Sequence, residues 1–170
     1  METVLSMIAI VISVLSIAVA LYTFFWTAYR DKKQATLDAY NRLQEQALDA
    51  LNDFSFKSVQ EIAKHNQSEE YKKISQYIAR VEHFCVGVNK NIYDRQTVYE
   101  LAHGYLDDRI KKRIEPIIER KNHSGKEDYY ANIHRLCRWM EKEAKKREKR
   151  RIQKFQKKCI EFVSKNGEVS

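Results

Sequence analysis

Thr3–Tyr29 reads TVLSMIAIVISVLSIAVALYTFFWTAY, 27 residues without one ionised side chain. Val4, Leu5, Met7, Ile8, Ile10, Val11, Ile12, Val14, Leu15, Ile17, Val19 and Leu21 dominate it, and Phe24, Phe25 and Trp26 extend it. A run of about 18 or more such residues fits a membrane-crossing helix. At about 1.5 Å per residue the stretch covers ~40 Å, more than the roughly 30 Å hydrocarbon core. The surplus lies at its C-terminal end, where Tyr22, Phe24, Phe25, Trp26 and Tyr29 form an aromatic belt suited to the bilayer interface. Arg30, Lys32 and Lys33 follow, whereas the other flank offers Met1 and Glu2. Positive flanks stay cytoplasmic. The stretch therefore predicts a single-pass protein of the cell inner membrane with its C-terminal body in the cytoplasm and the lipid bilayer as its first partner. Ala18-Val19-Ala20 resembles a signal-peptide cleavage site, but the leading residues carry no Lys or Arg and the apolar run continues past the alanines.

The small residues of the stretch are ordered. Ser6, Ala9, Ser13, Ser16, Ala20, Thr23 and Thr27 recur at spacings of three and four, a seam with the coiled-coil period. Helices in lipid gain nothing hydrophobic from meeting, so small and hydroxylated faces are where they pack. The seam predicts self-association into a homo-oligomer. In a ring of several spans it would line a weakly polar lumen. Alternatively, the hydroxyls bond back to the helix's own carbonyls.

Behind the stretch stand 141 residues, enough for one domain. One proline and four glycines in the whole chain leave little room for strands and turns. Leu37, Tyr40, Ala47, Leu51 and Phe54 mark a helix that no breaker separates from the apolar stretch. Tyr71, Ile74, Tyr77, Ile78, Val81, Phe84, Cys85 and Val88 give the cleanest amphipathic stripe, after a loop at His65-Asn66-Gln67-Ser68. Asp94 can cap a short helix that Gly104 ends. Asp107 or Asp108 can start another with Ile110, Ile114, Ile117 and Ile118 inward and a kink at Pro116. Ser124 with Glu127 forms a capping box for a last helix carrying Tyr130, Ile133, Cys137 and Met140, then Ile152, Phe155, Cys159 and Phe162. The expectation is an all-α chain: a transmembrane helix and juxtamembrane anchor over 1–33, then a cytosolic helical bundle over 34–170, forming a ring.

Charge is concentrated near the C-terminus. Lys142, Lys145, Lys146, Arg147, Lys149, Arg150, Arg151, Lys154, Lys157 and Lys158 face only Glu143 and Glu148 within residues 142–158, so this stretch carries +8, the net charge of the whole chain. A solvated helix face, a polybasic surface for the cytoplasmic leaflet and an RNA-binding arm all fit that run. Trp139 and Phe155 give thin aromatic interleaving, which disfavours base stacking.

Three cysteines in a cytosolic body, an odd number, predict reduced thiols in core packing. His83 with Cys85 and His134 with Cys137 supply four zinc-type ligands, but two positions apart on a helix do not share a face. No metal, cofactor or small-molecule substrate is expected. No phosphate-binding glycine loop, nucleophile elbow or paired-carboxylate signature occurs. Helical RNases use an Arg and a His several positions later, the His as acid–base and the Arg steadying phosphorane-like charge. Arg95 and His103, with seven residues between them, are the nearest pair, and His103 is also placed to cap a helix end.

The single N-terminal span, the exit Tyr29-Arg30-Asp31-Lys32-Lys33 and a wholly helical body behind it resemble the small CRISPR-associated accessory proteins that accompany the RNA-guided, RNA-cleaving effector of type VI-B systems. His83-Phe84-Cys85-Val86-Gly87-Val88-Asn89-Lys90-Asn91-Ile92-Tyr93-Asp94 also resembles an uncharacterised bacterial family of single-span helical proteins. The resemblance covers most of the chain and rests on layout. It implies a homo-oligomeric membrane pore that strengthens antiphage defence together with a CRISPR effector, and a degenerate helical RNase domain from whose Arg–His spacing this chain departs. A membrane-tethered RNA-binding protein or weak RNase, and a scaffold recruiting a partner through its helices, are the other readings.

Overall fold

In the computed structural model, which describes residues 2–106, 111–124 and 130–166, the apolar stretch and the first element of the body are one helix. α1 (Glu2–Leu43) runs 42 residues, about 63 Å, without a break. The boundary expected at residue 33 falls inside it. Among the described residues there is no strand, and the chain is all-α: one long apolar N-terminal helix followed by a helical body.

Below α1 the helix does not continue in register. Gln44–Leu48 forms a π turn, in which the Asp49 N–H donates to the Gln44 carbonyl, before the short α2 (Asp49–Asn52). The extra residue brings Ala47, Leu48 and Leu51 onto the core side together with Tyr40 and Leu43. The Gln46 carbonyl within the turn accepts from Arg80 Nη1 at 2.6 Å. A break follows at Asp53–Ser55 that the sequence pattern did not announce; Ser55 caps α3 (Phe56–Lys64) through the Ser58 N–H. His65–Ser68 is a loop as expected, and Ser68 caps α4 (Glu69–Asn89) by accepting from the Tyr71 N–H at 3.1 Å.

α4 is the central element. Tyr71, Ile74, Ile78, Val81, Phe84, Cys85 and Val88 are buried along one face, the stripe read from the sequence. Asp94 caps α5 (Arg95–Ala102), which closes at His103 before Gly104 with φ +82°. α6 (Lys111–Ser124) runs through Pro116 and buries Ile114, Ile117 and Ile118. Asp107, Asp108 and Ile110 lie outside the described residues.

Ser124 does not open the last helix; it is the final residue of α6, and Glu127 lies outside the described residues. α7 (Ala131–Asn166) takes its cap from a distance instead. Glu82 on α4 accepts from the N–H of Asn132 at 3.1 Å and of Ile133 at 2.9 Å, placing a carboxylate on the positive end of the helix. Ile133, Leu136, Cys137 and Met140 of α7 complete the core.

Candidate functional site

Three surfaces carry chemistry: the apolar half of α1, the clamp below it, and the basic half of α7. In the first, the described large side chains from Val4 to Trp26 run from 51% exposed (Ile8) to 69% (Met7), and the most apolar window is 0% buried. Water does not tolerate an apolar rod of this size. The helix is long and apolar enough to cross a membrane. Tyr22 stacks on Trp26 at 6.3 Å between ring centres, and Phe24 meets Phe25 edge-on, so the belt is built.

The seam residues share one face. Ser6, Ser13, Ser16 and Thr23 each donate to the carbonyl four residues earlier, at 2.8–3.0 Å. Ala9 and Ala20 complete the row, with Thr27 at its lower end. These four hydroxyls are thus satisfied within the helix, and what the seam presents outward is smoothness rather than unmet donors. At 3.6 residues per turn the seam points about half a turn away from Thr36, Tyr40 and Leu43, the α1 residues buried against the body. The body therefore leaves the seam's side of the helix open.

The clamp fixes the apolar half of α1 to the body just past Tyr29. Lys33 Nζ lies 4.5 Å from the centre of the Tyr29 ring, and Tyr29 raises the Lys33 pKa, keeping the ammonium charged. Lys32 Nζ donates to Asn91 Oδ1 at 2.9 Å. Thr36, fully buried, donates to the Lys32 carbonyl and accepts from the Asp94 N–H. Asp94 in turn accepts from both the N–H and the hydroxyl of Thr97 at 2.8 Å. The α4–α5 loop takes this path because Asn91 adopts φ 61° and Tyr93 lies over Gly87, where a side chain would collide with its ring. Tyr93 also stacks on Phe84, which meets Tyr40 of α1. Sequence reading missed this clamp. Its one signal was a threonine at position 36, in the phase of Tyr40 and Leu43, where an apolar residue was due.

Arg95 and His103 are not brought together. They sit at opposite ends of α5, roughly 12 Å apart along its axis. Arg95 Nε donates to the Val88 carbonyl and Nη2 to the Asn89 carbonyl, both at 3.3 Å, closing the C-terminal end of α4, with Trp139 5.7 Å away. His103 caps α5 and stacks on Tyr99 at 4.6 Å. Both have structural employment. The His83–Cys85 and His134–Cys137 ligands do not form a metal group among the described residues. Cys85 and Cys137 are buried, and burial first, then Cys137 and Glu82, pushes the Cys85 thiol well above the usual thiol range. Cys159 is exposed.

The ten basic residues all fall on α7. From Glu148 to Ile160 every side chain is exposed. Arg147 is half-buried: it lies 4.0 Å over the Tyr99 ring and pairs with Glu143 at 3.3 Å, which also holds Lys146 at 3.8 Å. Arg151 pairs with Glu148 at 3.1 Å. Between α5 and this helix opens a shallow cleft of about 920 Å³ whose walls include His103, Lys145, Arg147, Lys149 and Arg151.

Residues 10–140 match the family described as "Domain of unknown function (DUF4760)". The chain belongs to that family. No curated protein and no solved structure matches it. The DUF4760 match begins inside the apolar helix and stops where α7 leaves the core, so most of the apolar stretch, the clamp and the bundle lie within the matched region and the basic half of α7 lies beyond it.

Proposed function

We propose that this DUF4760 protein crosses the inner membrane once, with its body in the cytoplasm, and that its copies assemble through the seam into a ring that forms a pore. The observation that carries this is the opposition of faces on α1: the row of small residues looks away from the body, so copies can bring their spans together without their bodies colliding. Because four of the five seam hydroxyls are already bonded within the helix, the attraction is mainly close packing of small side chains. An interhelical hydroxyl bond would add only about 0.6 kcal/mol, so contacts between bodies must contribute. The likeness in layout to type VI-B accessory proteins supports a role in CRISPR-type antiphage defence, with an RNA-guided effector as partner.

The mass of the detergent-solubilised particle and dye leakage from liposomes test this together. A multiple of the chain mass with leakage is expected. Replacing Ser13 and Ser16 with Leu should alter both, whereas Ile12→Leu should alter neither. A strict monomer that leaves liposomes sealed would end the proposal.

A second reading, membrane-tethered RNA binding, is favoured by the cationic cleft between α5 and α7. Affinity for RNA that falls steeply with salt, and falls again when Lys145, Arg147, Lys149 and Arg151 become Gln, would support it. Salt-independent binding would count against it.

A further inference from the structure

The distal half of α7 is an arm without a cover. Ile152, Phe155 and Ile160 are 48%, 69% and 70% exposed. Ile152, Phe155 and Cys159 stand at spacings of three and four along one face, with Arg151, Lys154 and Lys158 at its edge. Helices in proteins owe their stability mainly to a packed apolar face. Here the pairs Lys145–Lys149, Arg150–Lys154 and Lys154–Lys158, each four apart, oppose the helix further. Whatever covers the arm is anionic and offers apolar contact. A second α7 is disfavoured by its own charge, and a single exposed ring gives a nucleic acid little to stack on.

The same chain offers a matching surface. Below Tyr29 the seam continues at the same three-and-four spacing as Asp31, Gln34, Asp38, Asn41 and Glu45, all exposed. The row holds three carboxylates, Asp31 being paired with Arg30 at 3.8 Å, and it is flanked by Ala35, the half-buried Leu37 and the exposed Arg42. When spans meet through the seam, these rows approach one another and repel. The basic arm is the counter-charge each copy carries.

We propose that the distal half of α7 docks on the acidic row formed by Asp31 and Asp38 of α1 and Glu45 of the π turn in a neighbouring copy. This rests on the oligomeric reading above and supplies the contact between bodies that the seam lacks. It joins two different surfaces, and with all spans held in one bilayer plane its repetition around an axis gives a ring where the rotation closes.

The full-length protein in detergent tests it. Cys159 is the natural probe, since Cys85 and Cys137 are buried. In Glu45→Cys, mild oxidation should give an intermolecular ladder, whereas Glu61→Cys on the exposed side of α3 should not. Asp38→Lys with Glu45→Lys should weaken assembly about tenfold or more, and adding Lys149→Glu with Lys154→Glu should restore it. An oligomer that neither cross-links nor responds to charge exchange overturns the docking and leaves the seam assembly standing; a monomer overturns both. A Cys159 shielded from a water-soluble maleimide only by phosphatidylglycerol vesicles, or only by added RNA, assigns the arm to that partner instead and overturns it too.

Discussion

The Thr36 hydroxyl accepts from the backbone N–H of Asp94, 58 positions away, at 2.8 Å, while donating to the Lys32 carbonyl at 2.7 Å. One buried oxygen thereby couples the helix that leaves the apolar stretch to the loop that closes α4. Thr36→Val keeps the shape and removes both bonds, leaving the Asp94 N–H without its acceptor. A loss of about 1–3 kcal/mol is expected, read as a lower denaturation midpoint, and Thr36→Ser should recover most of it.

Gly87 is a packing requirement. A methyl group there meets the Tyr93 ring, whose seat is also fixed by its stack on Phe84. Gly87→Ala should cost roughly 1–3 kcal/mol by overpacking. Adding Tyr93→Leu should return part of that in thermal melts, because it removes the ring and not the loop.

Arg95 is expected to act on stability rather than on RNA. Arg95→Met removes a donor from the Val88 and Asn89 carbonyls, of which Val88 keeps the Asn91 N–H, and should destabilise by about 0.5–1.5 kcal/mol. His103→Ala should cost less. Any RNA cleavage by the pure protein should persist in both variants; its loss in both, at unchanged stability, would show that they form a catalytic pair after all.

Glu82 caps α7 across the bundle. Glu82→Gln keeps one of the two accepting oxygens, turns the other into a donor facing a backbone N–H and loses the charge at the helix end, an expected cost of about 1–3 kcal/mol. Amide exchange at Asn132 and Ile133 should quicken before that of Ile78 or Val81.

The cysteines should sort by burial. Because burial raises the Cys85 pKa, its thiolate fraction at neutral and mildly alkaline pH lies below that of a free cysteine. Maleimide should modify Cys159 within the time that leaves Cys85 and Cys137 intact, and all three should react in denaturant.

Periodic features of this fold were legible in the sequence. The uncharged run of α1, the buried stripe of α4, the loop at His65–Ser68 and the cap at Asp94 all depend on residues a few positions apart. What was not legible depends on residues far apart. The Ser124–Glu127 spacing suggested a local cap, whereas α7 is capped by Glu82, 50 positions away. The π turn at Gln44–Leu48 leaves no mark in composition, since its Gln46 carbonyl is satisfied by Arg80 on another helix. Arg95 and His103 drew notice as a near-miss of a catalytic spacing; their use in closing α4 and α5 shows only once those helices are in place.

Because α1 passes from the apolar stretch into the core without a joint, it behaves as a lever whose fulcrum is the clamp at Lys32–Thr36. Membrane helices tilt by about 20° on average, and more when the surrounding bilayer thins. In the membrane-crossing arrangement proposed above, a change of lean could not be absorbed at the exit; it would swing the body sideways through the same angle and load the α4–α5 loop and the core beneath it.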